Sequence, residues 1–211
     1  MPLVFIPQNL TIVLLFILTL AVYIFIGVKL HARPIAFTAF LLSSSVLHGL
    51  TVLNVDAFVL FGFLMPAPIG LFFVLAKPQV GIGLALYWLI EAWRAGGLRK
   101  VASTFTPVTI ALAITWLLYG NWMSAPSDAL LINAYWNYSI FPWGVPIGLA
   151  LFLAAIQLKR KNLGAMTGPL FSPYVALPSW SALLVGLFDN DLLMTITVLA
   201  LWILTFLHGA P

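Results

Sequence analysis

Apolar residues run along this chain in long blocks, interrupted by prolines, short basic clusters and one polar stretch. The first block, Leu10 to Val28, is long enough to cross a bilayer, for which about 20 apolar residues suffice. With no basic residues before it and no small-residue cleavage site after it, the block reads as a transmembrane helix rather than a signal peptide. It ends at Lys29-Leu-His-Ala-Arg33. A second predicted span, Ile35 to Leu53, carries Ser43-Ser44-Ser45 and His48. Small hydroxyl residues within a span read as helix contacts.

The next two blocks are each about half a normal span. Asp56 to Leu64 and Ile69 to Ala76 flank Met65-Pro-Ala-Pro68, and proline both removes a backbone donor and restricts the residue before it. The pattern predicts two short legs that turn at Pro66-Ala67-Pro68. Read instead as one span, they would place Arg94, Arg99 and Lys100 outside, against the charge rule for membrane proteins. The two-leg reading puts Lys77 near the outer face and those three cations inside.

Val80 to Trp93 and Val101 to Tyr119 follow as predicted spans. Gly120 to Ser139 is the most polar stretch and is ringed by Trp116, Tyr119, Trp122, Tyr135, Trp136, Tyr138 and Trp143. Such aromatics mark a membrane–water boundary, so an outer interfacial loop or short helix is expected here. Phe141 to Gln157 then runs inward to Lys159-Arg-Lys161. The rest, Leu163 to Phe188, is broken by Pro169, Pro173 and Pro178 before a last apolar run, Leu192 to Leu207. Two topologies stay open there. If Ser172-Pro-Tyr174 is an outer turn, Asp189-Asn-Asp191 is cytoplasmic; if it is a kink, the reverse holds.

Composition strengthens the membrane reading. Of 211 residues, 63% are hydrophobic and 7% charged, whereas a soluble domain carries about 25% charged residues. The expectation is an all-α, multi-pass transmembrane bundle of about 7–10 segments, some short or broken, forming one membrane domain over residues 1–211. The net charge of +4 resides in small clusters between apolar runs, as the positive-inside rule produces, with the N-terminus outside. No basic stripe suggests nucleic acid. Cysteine is absent, and His31, His48 and His208 lack metal-ligand spacing, so neither a metal nor another cofactor is expected.

Several strings, taken in order, resemble one family. They are Asn54-Val-Asp56, Leu75-Ala-Lys77-Pro78-Gln79 and Phe171-Ser-Pro-Tyr174. Together they are similar to the C-terminal part of GT-C-type glycosyltransferases that use polyprenyl-phosphate sugars, especially glycosyltransferase family 87. The resemblance implies a GT-C-like fold in a prokaryotic inner or plasma membrane and a site for a lipid-linked phosphate. Family members carry a catalytic carboxylate in an early outer loop, whereas no acidic residue precedes Asp56 here. Glycosyl transfer needs such a base beside the acceptor hydroxyl.

Lys77 is the leading candidate, because a lysine at the membrane centre costs about 2.5 kcal/mol or more and is functional by default. It suits a lipid phosphate as a point charge, with a snorkelling lysine as the bland alternative. Gln79 travels with it as a phosphate or sugar ligand or a helix cap. Asn54 and Asp56 read first as helix caps, with an Asp56–Lys77 ion pair as the hypothesis that joins them. Ser172 and Tyr174 enter through the resemblance. Glu91 reads as a local partner of Arg94, and Asp128, Asp189 and Asp191 as loop carboxylates. Two functions are expected: a reduced GT-C-like protein that binds membrane lipid or a polyprenyl-phosphate sugar without catalysing alone, or an accessory subunit packed among other membrane proteins.

Overall fold

The computed structural model describes residues 7–120 and 136–208. Every regular element among the described residues is helical. The expected outer loop between Gly120 and Ser139, with Asp128, Trp122 and Tyr135, lies almost wholly outside them.

Helix α1 (Gln8–Lys29) buries Thr19, Tyr23, Ile26 and Gly27, which share one face at helical spacing. Its other faces leave Val13, Ile17 and Val28 exposed. Helices α2 (Pro34–Leu41) and α3 (Ser44–Thr51) meet at a 48° bend. Ser43 makes that bend by accepting from the Val46 amide as the N-cap of α3 and donating to the Phe40 carbonyl. The neighbouring serines act as helix contacts: Ser45 donates to the Pro178 carbonyl, and Ser44 accepts from Thr205.

Helices α4 (Asp56–Gly62) and α5 (Ala67–Val74) are the two short legs. They fold back on one another, since Asn54 and Asp56 at the start of one leg meet Lys77 after the other. The legs touch at Gly62 and Gly70. A Cβ on Gly62 would sit 2.6 Å from the Phe73 Cβ, and one on Gly70 would sit 2.7 Å from the Gly62 carbonyl oxygen. Bare backbone on both sides permits this approach.

Helix α6 (Pro78–Tyr119) is 42 residues long, yet its backbone leaves helical geometry at Gly96 and Gly97. A straight helix of that length would span about 63 Å. Instead residues from both ends, Gln79 and Tyr119, line one cavity, so α6 is a hairpin with legs 78–95 and 98–119. Gly97 has φ +57° and ψ −149°, a conformation essentially confined to glycine.

The chain continues through α7 (Gly144–Leu158), α8 (Lys161–Met166) and α9 (Gly168–Phe171). A 3-10 turn (Leu177–Trp180), α10 (Ser181–Val185) and α11 (Asp191–Leu207) complete it. By length and composition α1 and α6 suffice to cross a membrane, and α2–α3 adds a third if counted as one span. Helices α7 and α11 are apolar but shorter.

Charged contacts show whether the chain turns at Ser172-Pro-Tyr174. Asp189 pairs with Arg160, and Asp191 pairs with Arg33, so the Asp189-Asn-Asp191 turn lies at the basic end. Ser172 and Tyr174 line the cavity beside Lys77, at the other end. The stretch from Arg160 to Asp189 therefore runs out and back, turning at Ser172-Pro-Tyr174. Two local expectations are corrected. Arg94 donates to the Ile156 carbonyl at the end of α7 rather than to Glu91, because those exposed terminal carbonyls need donors. Tyr138 is buried rather than interfacial; its carbonyl accepts from the Trp180 indole.

Candidate functional site

Two short helices and one long one converge where α5 gives way to α6. Lys77 occupies the N-cap position of α6 with a non-helical backbone, and its side chain reaches back to the start of the α4–α5 hairpin. Its ammonium donates to Asp56 Oδ2 at 2.7 Å and to Asn54 Oδ1 at 3.2 Å. The Asp56 side chain is fully buried and that of Lys77 is 11% exposed. The capping role expected of Asn54 and Asp56 is not adopted. Asp56 heads α4 with no side-chain cap bond there. Capping is a local preference, and it yields here to a buried cation that no other carboxylate among the described residues neutralises.

Behind the pair lies a second polar layer. Tyr23 Oη, Asp56 Oδ1 and Ser179 Oγ are all buried without a hydrogen-bond partner. Ser179 and Tyr23 are electrostatic neighbours of Asp56, with Ser181 beside Tyr23, at separations outside hydrogen-bonding geometry. Ser181 spends its proton on the Pro178 carbonyl. Sequence reasoning missed Tyr23 and Ser179. The available signals were a tyrosine inside an otherwise apolar span and a Ser-Trp-Ser string directly after Pro178.

In front of Lys77 opens a cavity of about 1020 Å³. Its polar lining comes from Lys77, Gln79, Thr115, Tyr119, Ser172 and Tyr174. Phe72, Leu75, Val108 and Leu112 supply apolar walls. Ser172 is held by local bonds, accepting from the Tyr174 amide and donating to the Tyr174 carbonyl, while its own carbonyl accepts from Ser139. Of the six residues singled out from the sequence, four line the cavity, and Asn54 and Asp56 anchor Lys77 from behind. Thr115 and Tyr119 were not foreseen; they reach the site because α6 doubles back.

Along the second leg of α6, the cavity extends from Tyr119 to Val108, a rise of about 16 Å. That is roughly half of the ~30 Å hydrocarbon core of a bilayer. Among the described residues no cluster of three or more His, Asp or Glu is placed to hold a metal ion.

The fold and site together define an all-α protein with helices able to cross a membrane and an apolar cavity capped by a buried Lys–Asp pair. No family model matches the chain, nor does any curated protein or solved structure.

Proposed function

We propose that this chain is a multi-pass membrane protein that holds a single-leaflet lipid with a polar headgroup, of the polyprenyl-phosphate-sugar class, in the cavity beside Lys77. One observation carries the reading. Lys77, Gln79, Ser172 and Tyr174, drawn from two segments far apart in sequence, converge on one cavity whose other walls, Thr115 and Tyr119 apart, are apolar. An amphiphile matches that arrangement, since ligand sites combine apolar walls with a few placed polar groups.

The disposition of charge supports an orientation. Arg33, Arg94, Arg160 and the α6 turn with Arg99 and Lys100 share the end opposite Lys77, which the positive-inside rule assigns to the cytoplasm. Lys77 and the exposed aromatics Trp116, Tyr119 and Trp143 then face the outer leaflet. On this reading α1 begins outside, and the short legs α4 and α5 dip into the membrane under cover of the other helices. The GT-C-like character proposed for the fold rests on the short strings at 54–56, 75–79 and 171–174.

Binding without chemistry is the reading favoured for the isolated chain. Among the described residues no carboxylate lines the cavity; Asp56 sits behind Lys77 with its side chain fully buried. A general base must come within hydrogen-bond reach of the acceptor hydroxyl.

A diazirine-bearing farnesyl-phosphoryl-glucose tests the site in purified full-length chain. Crosslinks are expected on the second leg of α6 and around Ser172, and Lys77→Gln should reduce them. Labelling spread evenly over the exposed apolar faces would overturn the reading. Transfer or hydrolysis of the sugar by the chain alone would overturn its non-catalytic part.

A further inference from the structure

Lys77 brings a positive charge to the cavity, and Asp56 cancels it from behind. The ammonium has three protons, of which two are directed to Asp56 and Asn54. As it stands, the site offers an incoming headgroup at most one N–H from Lys77 and no net charge. A phosphate needs more than that to leave water.

We propose that Asp56 is a proton-binding site coupled to the cavity: an anionic phosphodiester headgroup draws the Lys77 ammonium away from Asp56, and Asp56 takes up one proton. This inference rests on the reading of the cavity as a lipid-headgroup site. In the exchange the Lys77–Asp56 contact breaks and Lys77 remains an ammonium paired with the phosphate. An O–H bond forms on Asp56 with a proton from solvent. The site gains one anion and one proton, so its charge is unchanged.

Three observations support the coupling. First, among the described residues Asp56 has no second cation to fall back on. The helices packed against α4 are α1, α5, α6 and α10, and α5 and α10 carry no charged residue. On α1, Lys29 lies over the Phe25 ring, and Tyr23 is the titratable group facing Asp56. On α6, Glu91, Arg94, Arg99 and Lys100 lie toward the turn at the opposite end, with Tyr87 lining a separate cavity beside Glu91 and Arg94. Lys161 reaches α4 from α8, but donates to the carbonyl of Phe63 beyond the far end of the helix.

Second, a carboxylate buried this completely is too costly to leave charged and unpaired, and such groups neutralise instead. Third, the proton has somewhere to point. Asp56 Oδ1, Tyr23 Oη and Ser179 Oγ are buried together without partners. Hydroxyls both donate and accept, so Tyr23 and Ser179, which make no hydrogen bond to the carboxylate as it stands, are unpartnered groups able to accept from a protonated Asp56. The layer behind Lys77 therefore holds buried polar groups suited to the neutral acid.

The test is calorimetric titration of full-length chain in phosphatidylcholine nanodiscs with farnesyl-phosphoryl-glucose, a phosphodiester with no proton to exchange near neutral pH. Heats measured in two buffers of different ionisation enthalpy give the protons taken up. About one proton per bound ligand is expected, with affinity falling about tenfold per pH unit across the range where free Asp56 is ionised. Asp56→Asn should bind the same compound with no uptake and a flat pH profile. Neutral farnesyl glucoside should show no uptake in either protein. Binding of the phosphodiester to wild-type chain without proton uptake and without pH dependence overturns the coupling alone. If neither farnesyl compound binds wild-type chain, the lipid-site reading falls and the coupling with it. Should Asp56→Asn fail to fold, the wild-type titration alone decides.

Discussion

The ammonium of Lys77 and the carboxylate of Asp56, 21 residues apart in sequence, meet at 2.7 Å inside the fold. Their contact closes the α4–α5 hairpin at its open end, while the Gly62–Gly70 approach closes it near the turn. Each member of the pair is tolerable in the interior because the other is there. Removing one partner of such a pair costs about 3–5 kcal/mol, whereas replacing both with apolar residues is often neutral. Lys77→Met and Asp56→Leu should therefore each destabilise the chain strongly. The double variant should recover most of the loss, as read by thermal unfolding in detergent. Additive losses would show that the two side chains act independently.

A methyl group at the crossing of the short legs has nowhere to go. Gly62→Ala would place a Cβ against Phe73 and the Gly70 carbonyl, and backbone does not yield as a flexible side chain does. A loss of about 1–3 kcal/mol is expected, the usual range for overpacking. Unfolding midpoints equal to wild type would mean that the legs stand further apart than described.

Gly97 presents a different case, since a Cβ there meets nothing within 4 Å. Any cost of Gly97→Ala is then backbone strain at φ +57°, about 1–3 kcal/mol. Swapping in a larger side chain, as in Gly97→Leu, should cost little more than alanine. A steep dependence on side-chain size would contradict the open surroundings of this turn.

The chain has no native cysteine, so single cysteines report on sidedness directly. With α6 folded as a hairpin across the membrane, Tyr119→Cys should react with an impermeant maleimide from outside intact cells. Lys100→Cys should react only after permeabilisation. Labelling of both from the same side would remove the transmembrane hairpin.

Two carboxylates at the basic end should differ in weight. Asp189 and Arg160 are both more than half exposed, and such pairs contribute about 0–1 kcal/mol, so Asp189→Asn should be nearly silent. Asp191 does more than pair with Arg33: its Oδ1 accepts from the Ala36 amide in the first turn of α2. Losing that cap through Asp191→Ala should cost about 1 kcal/mol. Raising salt should weaken the Arg160–Asp189 pair while leaving the Asp191 cap largely intact.

Much of this architecture was legible because membranes make certain residues costly. Prolines at 66 and 68 mark the turn between α4 and α5, and the basic clusters mark the chain reversals at Lys29–Arg33 and Gly96–Gly97. Lys77 stood out for the same reason, and its pairing with Asp56 was the hypothesis that joined two otherwise separate oddities. Capping by Asn54 and Asp56 was the wrong first choice, because caps are local preferences and the competing cation arrives from 21 and 23 residues away. Glu91 and Arg94 misled through their spacing, which suits a local pair on a free helix but ignores the terminal carbonyls of α7. Tyr23 and Ser179 were illegible in a stronger sense. Hydroxyl groups are common in apolar helices, and only the third dimension brings these two to one carboxylate.

The break at Gly96–Gly97 has a mechanical consequence. Two of the walls of the cavity, at Gln79 and at Tyr119, belong to a single helix folded on itself, so the spacing between them varies with the hairpin angle. The second leg is a lever about 33 Å long with its fulcrum at Gly97. A rotation of about 5° there swings Tyr119 by about 3 Å, comparable to the thickness of a hydrocarbon chain. Two glycine torsions at one face of the molecule therefore act as the adjusting screw for an opening at the other.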